Sequence, residues 1–337
     1  MINIAINGFG RIGRTTLKAG WNNKNVRFVA VNDLTEPRIL AHLLQYDSVF
    51  SKWEHKVEFD AHNIIIDKKK IPVYTEKEPS KLPWKKHKVD VVIESTGRFR
   101  ELKDASMHLA AGAKYVVISA PSKDAPTHVM GVNHMAIGKK DKVINNASCT
   151  TNCVAPITQI MKEAFGVEKA MLTTVHATTM EQNIIDGLPP KLKPNDLRAA
   201  RSALVNIVPT STGAAIATTQ AVDGLGGKFD GVSIRVPMVD VSLSDVTFLL
   251  SRNVTVEEVN NAFIKASKTK RWKGILDVTD LPLVSSDFIG NPHLAIVDLD
   301  MTRVVNGDLV KVMAWYDNEW GYSFHLIEMA ENIAKKK

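Results

Sequence analysis

The stretch INIAINGFGRIG, residues 2–13, decides the fold of the amino-terminal half of this chain. Residues 2–7 form a short apolar run of the kind that makes a buried strand, and three glycines follow at the spacing Gly-x-Gly-x-x-Gly. The next residues have helical composition, and a second strand-like run, Val26–Asn32, leads to Asp33. The segment therefore predicts a strand, a glycine-rich turn, a helix and a second strand that ends at a carboxylate.

This order of elements is typical of a dinucleotide-binding turn, in which each glycine has its own task. Gly8 permits the tight turn, Gly10 lets a pyrophosphate approach the backbone, and Gly13 lets the helix pack closely on the strand. The start of the helix offers free N–H groups and a partial positive charge to phosphates. A carboxylate at Asp33 accepts hydrogen bonds from the ribose hydroxyls and repels a 2′-phosphate, which favours NAD over NADP. The alternative is a glycine turn that binds no ligand.

The alternation of strand and helix candidates predicts an α/β protein with two domains. In the first half the alternation indicates a Rossmann-type doubly wound parallel sheet. In the second half, longer strand candidates recur with few helices between them, which predicts an α+β domain with a mixed or antiparallel sheet. Apolar residues at helical spacing from Trp320 onward predict an amphipathic terminal helix. We expect one domain over residues 1–148 with 316–337, and a second over residues 149–315.

Composition excludes several classes of protein. With 45% hydrophobic and 23% charged residues, the 337-residue chain is not disordered, collagen-like or a coiled coil. No apolar run reaches the roughly 18–20 residues of a membrane span, and the first residues lack the features of a signal peptide. Two cysteines, Cys149 and Cys153, cannot form a disulfide framework. We therefore expect a cytoplasmic protein with reduced thiols and no membrane association.

The formal net charge of +7 suits the attraction of small anionic molecules, although most of the excess is expected on solvated surfaces. The sequence contains neither zinc-ligand spacing nor a basic patch interleaved with aromatic residues. Metal is therefore not predicted, and nucleic acid is not expected as the main partner.

The sequence ASCTTNC, residues 147–153, carries the candidate catalytic thiol. Ser148 suits a helix N-cap, so Cys149 falls in the first turn of a predicted helix that ends at Gly166. There the helix macrodipole is expected to lower the pKa of the thiol, and backbone N–H groups can hold an oxyanion. The best candidate for a partner imidazole is His176, which ends an apolar run before small polar residues. The alternative for this histidine is a structural role.

The second thiol, Cys153, lies one turn further along beside the apolar face and is interpreted as a core residue. An activated thiol in a protein with an NAD-binding turn indicates one chemistry, the oxidation of an aldehyde through a covalent thioester. The domain over residues 149–315 is therefore the predicted catalytic domain.

The chain closely resembles the phosphorylating glyceraldehyde-3-phosphate dehydrogenases over essentially its whole length. The motifs that carry the resemblance are IAINGFGRIGR (4–14), ESTG (94–97), SAP (119–121), ASCTTNC (147–153), TTVH (173–176), STGAA (211–215), RVP (235–237) and WYDNEWGY (315–322). The thiol motif and the last motif are the most specific. The resemblance implies NAD-dependent conversion of glyceraldehyde 3-phosphate to 1,3-bisphosphoglycerate, in glycolysis or gluconeogenesis, by a homotetramer.

The resemblance also implies roles for individual residues. Cys149 matches the nucleophile that adds to the aldehyde, and His176 matches the base that activates it and assists departure of the hydride. Inorganic phosphate then attacks the resulting thioester. The residues that match the binding sites of the substrate phosphate and the attacking phosphate are Ser148, Thr150, Thr179, Arg198, Thr212, Gly213 and Arg235. Guanidinium and hydroxyl groups suit tetrahedral oxyanions.

For NAD, the resemblance implies a larger set. The residues that match it are Gly8, Gly10, Arg11, Ile12, Gly13, Asp33, Lys77, Thr96, Gly97, Ser119 and Asn318. Asp33 matches the contact with the adenosine ribose, and Asn318 matches the residue that holds the nicotinamide amide. Simpler interpretations stay open: Lys77 and Arg198 can be solvated surface charges, and Ser119 can cap a turn. They also include a strand-end hydroxyl at Thr179. Arg235 lies inside a predicted strand, where a charge needs a partner such as phosphate.

The sequence departs from the family pattern around these residues. Thr178 stands where many relatives have an aromatic residue, and Ile216 where a lysine is common. Met238-Val239-Asp240 replaces a usual Thr-Pro-Asn. The loop over residues 186–198 is longer than usual and rich in proline, which affects the alignment of Arg198.

Two other functions compete with this interpretation. An erythrose-4-phosphate dehydrogenase of the same fold would release its acyl group to water, and the intact Thr212-Gly213 pair argues against it. A non-catalytic protein that binds RNA or a partner on a dehydrogenase scaffold is compatible with the positive charge. However, such a protein is expected to have lost the nucleophile, the base or the anion ligands, and all of them are present.

Overall fold

The computed structural model describes residues 1–189 and 195–336. These residues form two compact units. The first contains Met1–Ser148 and the chain from Ser323 onward, and the second contains Cys149–Tyr322.

The first unit is built on an eight-stranded sheet in the order β3-β4-β5-β2-β1-β6-β7-β8. Its strands are β1 (Ile2–Asn7), β2 (Val26–Asn32), β3 (Val57–Phe59), β4 (Asn63–Ile66), β5 (Lys69–Tyr74), β6 (Val91–Glu94), β7 (Tyr115–Ile118) and β8 (Val143–Asn145). Across the sheet, the neighbours in the run β5-β2-β1-β6-β7-β8 all pair in parallel. At the other edge, β3 pairs antiparallel with β4, and β4 pairs antiparallel with β5. Strand order runs outward from β1 in both directions, so the predicted doubly wound parallel sheet is confirmed.

The central strand forms because its sequence is apolar on both faces. Ile4, Ala5 and Ile6 are fully buried, as a parallel sheet covered by helices requires. The helices of this unit are α1 (Arg11–Gly20), α2 (Pro37–Gln45), α3 (Leu102–Ala105), α4 (Met107–Ala110) and most of α8 (Trp320–Ala334). They leave the carboxyl ends of the parallel strands at one edge of the sheet, which is where ligands bind in this architecture.

Between β6 and β7 the chain forms two short helices, α3 and α4, that meet at Ser106. The Ser106 hydroxyl donates to the carbonyl of Leu102, four residues earlier, at 2.6 Å. Such bonds from a serine to its own helix compete with regular hydrogen bonding and interrupt the helix.

The second unit has a seven-stranded mixed sheet in the order β10-β11-β9-β12-β15-β14-β13. Its strands are β9 (Val167–His176), β10 (Val208–Ser211), β11 (Phe229–Arg235), β12 (Ser242–Leu250), β13 (Leu276–Thr279), β14 (Ala295–Val305) and β15 (Leu309–Tyr316), and its helices are α5 (Cys149–Phe165), α6 (Ala214–Ala221) and α7 (Val256–Ser267). Near the middle of the sheet, β9 pairs parallel with β11 and antiparallel with β12. The predicted mixed sheet is confirmed.

Alternation of burial along the strands fixes which side chains face the core. Residues of β12 alternate strictly between buried and half-buried positions, the pattern of a sheet with one covered face. Helix α7 starts with a capping box, in which the Thr255 hydroxyl accepts from the backbone N–H of Glu258 and the Glu258 carboxylate accepts from the N–H of Thr255. Helix α5 is largely buried and contains Pro156, which cannot donate to the carbonyl of Asn152.

The closeness of β1 and α1 depends on Gly13. A Cβ atom built at Gly13 would lie 2.2 Å from the Gly8 carbonyl oxygen and 3.1 Å from the Ile6 side chain, whereas a Cβ at Gly10 would meet nothing within 4 Å. Replacing Gly13 by alanine therefore forces the helix away from the strand. We expect Gly13→Ala to lower the free energy of unfolding by about 1–3 kcal/mol.

The matched control is Gly10→Ala, because Gly10 has an ordinary φ of −71° and open space around it. Thermal unfolding of the two variants and the parent chain checks this expectation. Equal melting temperatures for both variants would contradict the packing role of Gly13.

Candidate active site

The glycine-rich turn lies where strand order reverses, between the carboxyl ends of β1 and β6. Gly8 has a φ of +93°, a conformation that favours glycine, and its Cβ position is 2.5 Å from the backbone nitrogen of Thr96. The turn therefore cannot carry a side chain at Gly8. At Gly10 the space is open, so a pyrophosphate can approach the backbone there at the start of α1. Arg11, the first residue of that helix, turns its guanidinium to Asp47 at 2.7 Å.

Asp33 joins the turn to the end of β2. One carboxylate oxygen accepts from the backbone N–H of Phe9 at 2.7 Å, and the other accepts from the N–H of Thr35 at 3.0 Å. Each oxygen keeps a further lone pair, so the same carboxylate can accept from ribose hydroxyls. The position of Asp33 thus combines a structural contact with the predicted recognition of the cofactor.

The other predicted cofactor residues of the first unit follow the carboxyl ends of parallel strands. Lys77 comes after β5, Thr96 and Gly97 after β6, and Ser119 after β7. Gly97 has a φ of +71°. Lys77 is exposed. These residues and the open turn at Gly10 fit a dinucleotide that lies across the ends of the strands.

A buried polar network that sequence reasoning missed supports this edge. Glu94, at the end of β6, accepts from Asn7 at 2.5 Å, from His108 Nε2–H at 3.0 Å and from the backbone of Thr96 at 2.8 Å. Trp84 donates to the other ring nitrogen of His108 at 2.9 Å, which fixes the proton of the neutral ring on Nε2. The motif ESTG contained the carboxylate, but nothing local in the sequence connects it to His108.

In the second unit, Cys149 is the first residue of α5, as predicted. Its sulfur lies 3.4 Å from Nε2 of His176, the last residue of β9. The backbone N–H groups of Cys149 and Thr150 and the hydroxyl of Thr150 are directed at the sulfur. The structure therefore brings the candidate nucleophile and the candidate base together at a helix start, where negative charge is favoured.

Arg235 meets this pair because β9 and β11 are parallel and in register. Arg235 lies opposite His176 in the ladder, and its guanidinium approaches His176 Nδ1 at 2.7 Å and donates to the carbonyl of Ala177 at 3.0 Å. The same Nδ1 lies 2.7 Å from the Ala177 carbonyl. A neutral ring either donates from Nδ1 to Ala177, which leaves Nε2 free to take the proton of Cys149, or accepts from Arg235 and presents Nε2–H to the sulfur.

Burial decides the charge state of the pair. Burial and the Arg235 charge lower the pKa of His176 to about 3. Burial raises the pKa of the Cys149 thiol, although Arg235 and Thr150 act in the opposite direction. The expectation of a lowered thiol pKa is therefore wrong for this structure, because burial outweighs the nearby positive charges. Without substrate, the thiol and the imidazole are therefore both neutral at physiological pH.

Tyr316 is a further residue that sequence reasoning missed. Its buried hydroxyl lies 3.0 Å from the hydroxyl of Thr150 and 2.9 Å from that of Thr174, and its ring packs edge-on against His176. It thereby joins α5, β9 and β15 directly behind the thiol. The Thr150 hydroxyl therefore contacts Tyr316 as well as the Cys149 sulfur.

The remaining predicted anion ligands lie in loops and at the start of a helix. Thr212 accepts from the backbone of Ala214 at 3.1 Å, and Gly213 is the N-cap of α6. The backbone of Thr179 donates to Gln182 at 3.1 Å. Arg198 is exposed and lines a cavity with Thr210 and Ser211. Part of the loop predicted over residues 186–198, residues 190–194, lies outside the described part of the chain. Of the predicted anion ligands, Arg235 contacts His176 and Thr150 contacts Cys149.

Asn318 is oriented by Ser242, which sequence reasoning also missed. The Ser242 hydroxyl donates to Asn318 Oδ1 at 2.7 Å and accepts from the backbone N–H of Ala177 at 3.1 Å. With its oxygen engaged, Asn318 keeps its Nδ2 group for a ligand, as expected of a residue that holds a carboxamide oxygen.

Cys153 behaves as predicted for a core residue. It is fully buried, and burial raises the pKa of its thiol to about 12. Over residues 1–189 and 195–336, the structure contains no group of three or more His, Cys, Asp or Glu side chains that could hold a metal ion. In the same part of the chain, every helix is too short or too polar to cross a membrane.

Comparisons with known proteins agree with this architecture. A family model described as the glyceraldehyde 3-phosphate dehydrogenase NAD binding domain matches residues 2–102, and one described as the C-terminal domain matches residues 148–318. Glyceraldehyde-3-phosphate dehydrogenase 1 of Bacillus subtilis is 48% identical, and glyceraldehyde-3-phosphate dehydrogenase of Geobacillus stearothermophilus is 47% identical; each alignment covers 99% of both chains. Glyceraldehyde-3-phosphate dehydrogenase 1 of Saccharomyces cerevisiae is 44% identical over 99% of this chain and 100% of its own.

The raised pKa of Cys149 predicts how its alkylation depends on pH. Because the thiolate is the reactive form, the rate with iodoacetamide should rise about tenfold per pH unit between pH 7 and 9. The control is Cys153→Ser, which removes the inert thiol and should leave rate and stoichiometry unchanged. A rate that is already constant below pH 8 would show instead that the ligand-free enzyme holds a thiolate and an imidazolium.

Proposed function

Because this chain belongs to the glyceraldehyde-3-phosphate dehydrogenase family, we propose that it oxidises its aldehyde through a thioester on Cys149 and passes the acyl group to inorganic phosphate. It is an NAD-dependent oxidoreductase, and its substrate is glyceraldehyde 3-phosphate. The product of the proposed sequence is 1,3-bisphosphoglycerate. The observation that carries the proposal is the 3.4 Å contact between the Cys149 sulfur and His176 Nε2 at the start of α5.

The first step forms a bond between sulfur and the aldehyde carbon. As the Cys149 sulfur attacks, His176 Nε2 takes the thiol proton, and the backbone N–H groups at the helix start stabilise the negative oxygen. His176 then returns that proton to the oxygen, which leaves a thiohemiacetal and a neutral imidazole. The nicotinamide of bound NAD supplies the acceptor for a hydride.

In the second step, His176 removes the hydroxyl proton of the thiohemiacetal as the hydride departs, and a thioester remains on Cys149. A phosphate oxygen then attacks the thioester carbon, the carbon–sulfur bond breaks, and the thiolate recovers a proton from His176. The low pKa of His176 keeps its ring neutral before substrate binds, so one ring nitrogen has a free lone pair.

We assign the anions to the charged and hydroxyl groups around this pair. The Arg235 guanidinium lies next to His176 and suits a phosphate oxygen. Thr212 and Gly213 precede α6, and Thr179 follows β9. Ser148, Thr150 and Arg198 complete the proposed set. We assign the role of Thr150 to its backbone N–H, because its hydroxyl already contacts Tyr316 and the Cys149 sulfur.

The two parts of the chain then have separate tasks. We assign residues 1–148 with 316–337 to NAD binding and residues 149–315 to catalysis. Support comes from the open turn at Gly10 and the carboxylate of Asp33 in the first unit, and from the catalytic pair in the second.

We also propose that the enzyme works in the cytoplasm as a homotetramer. Support for an interface comes from exposed apolar residues concentrated between residues 180 and 207. They are Met180, Ile184, Ile185, Leu188, Leu197, Leu204, Val205 and Ile207. An exposed apolar patch of this kind marks a surface that another protein covers.

Phosphate dependence separates this reaction from hydrolysis by an erythrose-4-phosphate dehydrogenase. Steady-state NADH formation from glyceraldehyde 3-phosphate should stop after about one turnover per site when phosphate is omitted, because the thioester then has no acceptor. An unchanged steady-state rate without phosphate would contradict the proposal.

The role of His176 is tested by His176→Asn. We expect kcat to fall about 10²–10⁴-fold, the usual contribution of a general base, with the fold retained. His62→Asn, at an exposed position, is the control for the loss of an imidazole. An effect of less than tenfold would exclude His176 as the base.

A further inference from the structure

Two acidic side chains are buried together next to Asn318. Asp240 lies in the turn between β11 and β12 and is 2% exposed, and Asp317 lies between β15 and α8 and is 1% exposed. Their carboxyl groups face each other. The reaction steps described above use neither of them, so their proximity needs its own explanation.

The two carboxyl groups have very different surroundings. One oxygen of Asp317 accepts from the backbone N–H groups of Glu319 at 2.9 Å and Trp320 at 2.6 Å, and the other accepts from Gly290 at 2.7 Å. Three such donors favour the ionised form of a carboxyl group. Burial raises the pKa of Asp317, but these donors act in the opposite direction, so we place the negative charge of the pair on Asp317.

Asp240 lacks this support. The backbone N–H of Val241 lies near its carboxyl group, but within the described residues neither oxygen has a hydrogen bond in good geometry. The charged groups that face it are Asp317 and Glu319, both acidic. Two carboxylates cannot hydrogen-bond, and a buried carboxylate without a donor is costly. One proton removes the conflict, because a protonated Asp240 donates its O–H to Asp317.

This pair is connected to Asn318 from both sides. Asp317 precedes Asn318 in the chain, and Asp240 is followed by Val241, at a strained φ of +65°, and then by Ser242. Ser242 donates to Asn318 Oδ1 at 2.7 Å and accepts from Ala177, next to His176. A second negative charge in the pair would push apart the two segments that hold the Asn318 amide.

We propose that Asp240 is a positioning residue for Asn318, in which one proton shared with Asp317 keeps the Asn318 Nδ2 group directed at the carboxamide of bound NAD. The proposal rests on the function proposed above for Asn318. It makes cofactor affinity, rather than the chemistry at Cys149, the property that the carboxyl pair controls.

The direction of the pH dependence follows from the surroundings of the pair. Burial, followed by the charges of Asp317 and Glu319, raises the pKa of Asp240 from 3.8 to about 9. The folded protein thus keeps a proton that the unfolded chain loses near pH 4. The resulting stabilisation is complete below that pH, decreases as pH rises, and is lost once pH exceeds about 9.

The test compares the parent chain with Asp240→Asn, whose amide is neutral at every pH, and with Asp280→Asn, which removes one negative charge at an exposed position. NAD dissociation constants are measured by fluorescence titration between pH 7 and 10. For the parent chain and Asp280→Asn, we expect the constant to rise about tenfold per pH unit above pH 9, because only the protonated fraction binds. For Asp240→Asn, the NAD dissociation constant should not rise in this way above pH 9.

Thermal unfolding without NAD gives a second readout. Between pH 5 and 8 the melting temperature of the parent chain should fall relative to that of Asp240→Asn by roughly 3 °C per pH unit. Identical pH profiles of affinity and melting temperature in the parent chain and Asp240→Asn would overturn the proposal.

A measurement on the parent chain alone covers the case in which Asp240→Asn does not fold. Calorimetry of NAD binding at pH 10 in two buffers of different ionisation enthalpy should show uptake of close to one proton per site. Binding without proton uptake would refute the role of Asp240 and leave the proposed function intact. Failure of NAD to bind at any pH would instead refute the proposed function itself.

Discussion

The contact between the Cys149 sulfur and His176 Nε2 depends on how α5 and β9 follow one another in the chain. The helix starts at the cysteine, and the strand after it ends at the histidine, so the two reactive groups lie at the same end of adjacent elements. Parallel register then places Arg235 opposite His176. All three groups lie at the ends of helices or strands. The hydrogen-bonded backbone of these elements, rather than a flexible loop, therefore fixes the distances between them.

Burial has opposite effects on the two halves of that contact. It raises the pKa of the thiol and lowers the pKa of the imidazole, so both groups are neutral without substrate. A macrodipole and a nearby guanidinium favour the thiolate, yet removal of water outweighs them here. The arrangement holds a proton on sulfur until an aldehyde arrives, and the base is already placed to receive it.

Local sequence signals predicted the parts of the site that depend on backbone geometry. The glycine spacing indicated a turn at Gly8 and close packing at Gly13, and both follow from steric demands that a short segment specifies. The helix start at Cys149 and the strand end at His176 were equally readable. Contacts between distant segments were not: Tyr316, Ser242 and the pair of Glu94 with His108 acquire their partners only through the sheet order. The raised pKa of Cys149 was missed for the same reason, since burial is a property of the assembled domain.

The position of β9 near the centre of the mixed sheet has a consequence for folding. Cys149 and His176 are only 27 residues apart, so their contact closes a short loop at small entropic cost. Arg235 joins His176 from 59 residues away, and Tyr316 reaches Thr174 from 142 residues away. Contacts between residues far apart in sequence form late, because the chain must lose the entropy of closing a long loop before such a contact can stabilise it. Cys149 and His176 therefore come together early in folding, whereas Arg235 and Tyr316 join them only when the rest of the sheet has formed. In a nascent or partly folded chain, the Cys149 thiol consequently lacks the contacts that set its pKa in the folded protein.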